Sequence, residues 1–414
     1  MNTVLAARLL TGMFTPFLAP PWSDDETRLV EMWRKGELLP EPDVTCVRAI
    51  GNRLGLLDAP GIATSSGREG IRLALEGLGA RTGAEVILPS YSCTGVVQPV
   101  IDAGLRPVLI DVDDELNSSV ESVEAAGGPR VVAVVVPHLA GVWARDIQEI
   151  AGLAETKGWM LIEDVAQSLG LERDGVPAGT IGDAAVFSCG PGKPIWTTAG
   201  GVVLFKDPAM AERAMTHVRG DEPTDRIEAR VRDFLGRYLN NRPGRGVRQL
   251  RDIVRRGPCS IDDERPTTPW HMSRIDALLA LRQLEDLDAM IDRRREFADR
   301  WRRLLGEGPW RLAPVGPNTH TKFWMSFREV DAREQAVAFQ RALWRWGVET
   351  EGLYTPLHLR SIGRDLRRVS LPVTDAVWQG TFSLPVRPNL TAMDWRRIGR
   401  ALASPGSAPG TLRV

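Results

Sequence analysis

The chain has 414 residues, of which 43% are hydrophobic and 25% charged, and its formal net charge is −1. That length exceeds one ordinary core and suggests two domains, while the near-neutral balance gives no push toward nucleic acid or an anionic membrane. Cys46, Cys93, Cys189 and Cys259 have neither CxxC spacing nor a paired framework, which argues against structural zinc and for a reducing, cytoplasmic setting.

Residues 1–22 are apolar but interrupted by Arg8 and several prolines, with no basic leader. They read as an arm or first helix packed on the protein, and the arm is assigned to residues 1–45. From about residue 60, short apolar strands alternate with helical runs. Gly61–Thr64 is followed by Ser65-Ser66-Gly67 and a helix over 68–78. Glu85–Pro89, a helix near 95–103 and a strand over 106–112 come next. Then come the continuous apolar run Val131–Pro137, a helix over 144–157, and strands at 159–162, 184–187 and Gly201–Phe205. This alternation predicts a mostly parallel sheet between two layers of helices. Residues 210–265 break the pattern, with 12 Arg between Arg213 and Arg256. Two readings stand: a solvated helical insertion, or a basic wall for an anionic substrate. One long amphipathic helix is predicted over 275–305. The large domain is thus placed at 46–305 and a smaller α/β domain at 306–414, with a polar tail at 404–410.

Chemistry concentrates at two strand ends. Val186-Phe187-Ser188-Cys189-Gly190-Pro191-Gly192-Lys193 reads as a buried strand entering a tight turn that presents one amine. The chain holds five Lys against 47 Arg, and only Lys193 follows an apolar strand beside glycines. Leu161-Ile162-Glu163-Asp164-Val165-Ala166-Gln167-Ser168 is a second apolar strand ending in acids and an amide. A lysine and a carboxylate at neighbouring strand ends are what pyridoxal 5′-phosphate (PLP) requires. The amine forms a Schiff base with the aldehyde, and the carboxylate keeps the pyridine nitrogen protonated. Asp164 alone also reads as a cap of the next turn. Ser65-Ser66-Gly67-Arg68-Glu69-Gly70 lies between strand and helix, a place suited to a phosphate or simply to a helix cap. Gly190-Pro191-Gly192-Lys193 is not a P-loop, because Phe187 and Pro194 stand where the nucleotide motif needs Gly and Ser or Thr.

Taken together, Ile162-Glu163-Asp164-Val165-Ala166-Gln167 and Phe187-Ser188-x4-Lys193 resemble the signature of the DegT/DnrJ sugar aminotransferases, fold-type I PLP enzymes. The resemblance runs from Ser65-Ser66-Gly67 to the end. It takes in Pro89-Ser90-Tyr91-Ser92, Pro137-His138-Leu139-Ala140-Gly141, Gln283-Leu284, Tyr354-Thr355-Pro356-Leu357-His358 and Ser383-Leu384-Pro385. It implies that Lys193 carries the cofactor and transfers the proton, that Asp164 pairs with the pyridine nitrogen, and that Gln167 bonds the 3-hydroxyl oxygen. Ser188 and the amides near Gly67, Arg68 and Glu69 would hold the phosphate. It also implies a homodimer with shared active sites, in which glutamate or glutamine donates an amine to a keto sugar.

Some positions depart from that pattern. Cys93 occupies the place of the family's stacking aromatic, with Tyr91 two residues earlier, and Thr198-Ala199-Gly200-Gly201 replaces Gly-Glu-Gly-Gly. Pro269-Trp270-His271 replaces Asn-Tyr-Arg, so Trp270 or His271 is the candidate for the contact to the partner chain's site. Trp196 is expected near substrate; His138 is either a substrate contact or a strand-end histidine. Besides transamination, the readings left open are a PLP lyase or dehydratase and a non-catalytic PLP-binding homologue.

Overall fold

Runs of Val, Ile and Leu bounded by Gly, Pro and Asp become the buried strands of one large sheet, and amphipathic segments between them become its covering helices. The computed structural model describes residues 14–37, 41–240 and 267–404. Helices α1 (Asp24–Arg34) and α2 (Pro42–Arg53) precede strand β1 (Gly61–Thr64). There follow α3 (Gly67–Leu78), β2 (Glu85–Pro89), α4 (Thr94–Asp102), β3 (Arg106–Ile110), α5 (Val120–Ala126), β4 (Val131–Pro137), α6 (Ile147–Lys157) and β5 (Met160–Asp164). A small hairpin of β6 (Glu172–Arg173) and β7 (Val176–Pro177) leads to β8 (Ala184–Ser188), β9 (Gly201–Phe205), α7 (Pro208–Met215) and α8 (Thr224–Asn240). After α9 (Arg274–Glu285) and α10 (Leu287–Leu305) come β10 (Trp310–Leu312), β11 (Phe323–Phe327), α11 (Ala332–Arg345) and β12 (Glu351–Gly352). The short strand β13 (Arg367–Arg368), α12 (Pro372–Val377), β14 (Thr381–Leu384) and α13 (Ala392–Ala403) complete the described chain.

The large sheet has the order β1-β9-β8-β5-β4-β2-β3-β13. Its pairs are parallel from β8 to β13, whereas β9 runs antiparallel to both β8 and β1. This is the predicted α/β fold with a mostly parallel sheet. Strand β13, late in the chain, returns to cover the edge strand β3. A second sheet, β10-β11-β14-β12, is antiparallel. Its core joins Phe323, Phe327, Phe339 and Phe382 to Phe297 and Trp301 of α10.

The single helix predicted over 275–305 is two helices. Asp286 (φ −97°, ψ 0°) ends α9 and begins α10. The break follows from packing. Ala277 and Ala280 of α9 belong to the core beneath the large sheet, whereas Phe297, Ala298 and Trp301 of α10 reach the second sheet. One straight rod does not serve both.

The arginine-rich segment is partly resolved into its two readings. Arg226 and Arg232 of α8 are exposed, as a solvated face requires. Val231 and Phe234 on the same helix are buried against Trp22, Trp196, Ile275 and Leu279, and Arg230 pairs with Glu222 and Asp276. Residues 241–266, which include most of the remaining arginines and Cys259, lie outside the described residues, as do 1–13 and 405–414. Among the described residues, no helix is long and apolar enough to cross a membrane.

Candidate active site

The carboxyl ends of β5 and β8, neighbours in the sheet, bring Asp164 and Ser188 to the same rim. Lys193 follows on a turn closed by its own N–H to the Gly190 carbonyl (3.2 Å), with Gly192 at φ +76°. The turn is fastened from behind. Asp276 of α9 accepts from the Thr198 and Ala199 amides (3.0 and 3.1 Å) and from the Thr198 hydroxyl (2.6 Å). Gln283 accepts from the Trp196 amide (2.8 Å) and donates to the Trp196 carbonyl (2.9 Å). Those two residues fix the path of the loop and hence the position of the amine.

Lys193 lines a cavity together with Cys93, His138, Asp164, Gln167 and Tyr354. Burial lowers the basicity of its amine, and the Lys322 and Arg68 cations lower it further, against the opposing pull of Cys93 and Asp164. Lowered basicity favours the neutral amine, the form that acts as nucleophile and base. Burial raises the Asp164 carboxyl, opposed by Lys193 and by the Ala166 amide, which donates to Oδ1 at 3.0 Å. A buried carboxylate with one hydrogen-bonded oxygen is suited to receive a cationic N–H.

Gln167 is locked at both ends of its amide. Its Oε1 accepts from the Ala140 amide (2.6 Å) and its Nε2 donates to the Tyr354 hydroxyl (2.7 Å). That leaves Nε2 one further hydrogen to donate.

The phosphate-cradle candidates meet at the start of α3. Ser66 caps this helix by accepting from the Glu69 amide (3.4 Å). A Cβ on Gly67 would lie 2.7 Å from Ser188 Cβ, and one on Gly201 would lie 2.6 Å from the Gly67 nitrogen. The backbone therefore closes around this helix N-terminus only because both positions are glycine. Donor groups at such an end suit an anion. The Glu69 carboxylate is turned to structural use: it accepts from the hydroxyls of Ser65 and Ser66 and from the Thr268 amide, while burial raises its pKa.

The remaining candidates divide. His138 borders the cavity, but both ring nitrogens are engaged: Nδ1 accepts from the Ala144 amide (3.0 Å) and Nε2 lies 3.1 Å from Glu163. Glu163 also accepts from the Gly179, Ile181 and Gly182 amides. Burial by itself would raise this carboxyl, and the His138 contact and those amides together hold it lowered. Tyr91 is fully buried in the core of the second sheet, edge-on to Tyr354 at 6.4 Å, and lines neither cavity beside Lys193. Trp270 and His271 run beside β1, where the Ser65 amide donates to the Trp270 carbonyl (3.0 Å) and His271 bridges to Thr64. They too stand away from their own chain's Lys193 cavities. Trp196 is buried against Trp22 and Phe234 and borders a second cavity on the other side of Lys193.

Lys322 is one of the four lysines that do not follow an apolar strand beside glycines, yet the fold brings it to the site. Its ammonium lies 5.1 Å from the Tyr354 ring, bonds Glu351 at 2.8 Å and acts on Lys193. Its rarity, as one of five lysines, was the signal available. Arg294 was hidden among the arginines of a helix read only as amphipathic.

The sequence pattern of the DegT/DnrJ/EryC1/StrS aminotransferase family matches residues 56–403. Among solved structures, the aminotransferase TlmJ from Streptoalloteichus hindustanus is 27% identical with a TM-score of 0.73, over 94% of this chain and 97% of that one. DesV of S. venezuelae is 24% identical with a TM-score of 0.72, over 94% and 97%. Helicobacter pylori PseC, at 15% identity, shares the fold with a TM-score of 0.75 over 94% and 97%.

Proposed function

This chain belongs to the DegT/DnrJ/EryC1/StrS aminotransferase family and is a PLP-dependent aminotransferase, and we propose that it moves an amino group from glutamate or glutamine to a keto sugar or a related ketone. What carries the reading is the grouping of Lys193, Asp164 and Gln167 around one cavity, inside a chain matched by the family over 56–403. The residues fit PLP. The glycine-closed helix start at Gly67 and Ser188 leaves backbone donors for a phosphate, and Asp164 is the buried acceptor for a ring N–H.

When bound, PLP supplies an electron sink that stabilises negative charge at the donor's Cα. Every other step belongs to the chain. Lys193 would hold the cofactor through its amine. That amine, its basicity lowered first by burial and also by Lys322, would take the proton from the donor's Cα and return it one carbon away. Asp164 holds the ring N–H. Gln167 offers its remaining hydrogen to the 3-hydroxyl oxygen, its plane set by Ala140 and Tyr354. Ser188 and the amides of Gly67 and Arg68 would hold the phosphate, with the Glu69 amide shared with the Ser66 cap. Cys93 lines the same cavity and would give the ring face a thin contact in place of an aromatic one. The reading includes a cytoplasmic homodimer in which Trp270 or His271 reaches the neighbouring site; their place away from their own cavities supports it.

The test is a visible spectrum of PLP-loaded protein before and after glutamate or glutamine. The expected result is loss of the visible band with one equivalent of keto acid formed, and no such band in Lys193→Ala. A band that persists while substrate loses a β-substituent would replace transamination by elimination. Absence of any band with PLP present would remove the cofactor reading altogether.

A further inference from the structure

Lys193 also lines a second space, without Asp164 in its lining, that lies beneath the N-terminal arm. Phe17, Leu18, Ala19 and Pro21 form its roof, and no Asp or Glu is among the residues that line it. Arg294, from α10, is one of those residues. It is 5% exposed, and among the described residues its Nη1 is buried without a hydrogen-bond partner and its Nη2 reaches the Lys193 carbonyl at 3.5 Å. Burial alone pushes its basicity down to about 10, with no acid acting in the other direction. Arg387, which lines the same space and is half-buried, shows the ordinary solution: Asp394 sits 3.3 Å away. The indole Nε1 of Trp196, a third lining residue, is also buried and unpartnered. Thr321 is spoken for, since its hydroxyl donates to the Gln167 carbonyl at 2.6 Å.

A buried guanidinium without a counter-charge and a buried indole N–H without an acceptor are both costly, and here both border one cavity. We propose that this cavity is a carboxylate subsite, in which Arg294 and the Trp196 indole receive a carboxylate of the amino donor. An acceptor-only group satisfies both donors at once. The site takes one carboxylate group, because Arg294 is the lining guanidinium with no acid beside it, and one guanidinium neutralises one charge. Lys193 borders both cavities, so a molecule anchored here by its carboxylate presents its amine to the place where Lys193 works. The identity of the donor as an amino acid rests on the function proposed above; the anion site itself does not.

The experiment is calorimetric titration of the PLP-loaded protein with glutarate, a dicarboxylate with no amine to react, alongside 1,5-pentanediol and sodium chloride. Glutarate is expected to bind and pentanediol not to. Arg294→Met is expected to weaken glutarate by about tenfold or more, and Trp196→Phe by a few-fold. KM for the donor should rise by matching factors while kcat falls less. Unchanged glutarate affinity in both variants overturns the subsite, as does displacement of glutarate by chloride at equal concentration, which marks an adventitious ion only. If Arg294 merely steadies the Lys193 turn, Arg294→Met lowers kcat, glutarate binding survives and Trp196→Phe is silent. Should Arg294→Met not fold, Trp196→Phe and the charge-keeping Arg294→Lys decide the matter. Glutarate binding that depends on Arg294 without keto-acid formation from glutamate keeps the subsite and removes the donor reading. Keto-acid formation with an unaltered KM in Arg294→Met does the reverse.

Discussion

Asp276→Ala tests whether the lysine loop is held from behind. Asp276 is 1% exposed and its Oδ1 gathers the Thr198 amide, the Thr198 hydroxyl and the Ala199 amide, while Oδ2 meets Arg230 and the Ser273 hydroxyl. Truncation strands the Thr198 amide in the interior; Ala199 is half-buried and regains water, and Arg230 keeps Glu222. A buried donor left without a partner costs about 1–3 kcal/mol, whereas the Ser273 cap, made to the backbone amide of residue 276, survives the truncation. The expected destabilisation is therefore about 1–3 kcal/mol, inside the roughly 5–15 kcal/mol that keeps a domain folded. The variant should fold at room temperature and lose both urea resistance and PLP affinity, because the loop that carries Lys193 is freed. Asp276→Asn, which retains one acceptor oxygen, should fall between. The measurement is urea unfolding followed by circular dichroism, paired with a PLP titration. A loss below about 0.5 kcal/mol with unchanged PLP affinity would refute the claim that this carboxylate positions the loop.

Gly201→Ala places a methyl 2.6 Å from the Gly67 nitrogen, against backbone that has no rotamer to escape into. It is expected to weaken PLP and inorganic phosphate binding together, checked by competition between the two. Lys322→Met removes a cation that lowers the Lys193 basicity. The amine then stays protonated to higher pH, so the acid limb of the pH–rate profile should move upward, measured with glutamate as donor. His320 is 2% exposed, and burial first, then Arg302 and Arg295, drive its pKa down to about 3 from 6.5. Between those values the unfolded chain binds the proton and the folded one does not, so stability falls as pH drops through that window, by up to about 1.4 kcal/mol per pH unit. His320→Gln should remove that share of the slope in acid unfolding curves.

The strand ends were legible because their chemistry is local. A buried strand, a turn and a lone lysine are adjacent in sequence, and β1, β2, β4 and β9 follow directly from apolar runs. The break at Asp286 was not, since the apolar period runs on through it and only the demand of two cores bends the chain there. Nor was the misplacement of Tyr91: a tyrosine after Pro89-Ser90 carries no mark of which side it faces, and the second sheet, formed over 200 residues later, claims it. Lys322 and Arg294 reach Lys193 by long-range packing, for which a single sequence has no local sign.

The arm that roofs the Lys193 cavity is tied to the far end of the chain. The Thr15 hydroxyl donates to Asp394 at 2.7 Å and accepts from Arg397, across 379 and 382 residues, and Arg387 holds the Pro16 carbonyl. During synthesis the large sheet has most of its partners once β9 has emerged, whereas the roof waits for α13 to leave the ribosome. The arm, made before the sheet, thus docks late, and the Lys193 cavity gains its roof only once α13 is in place.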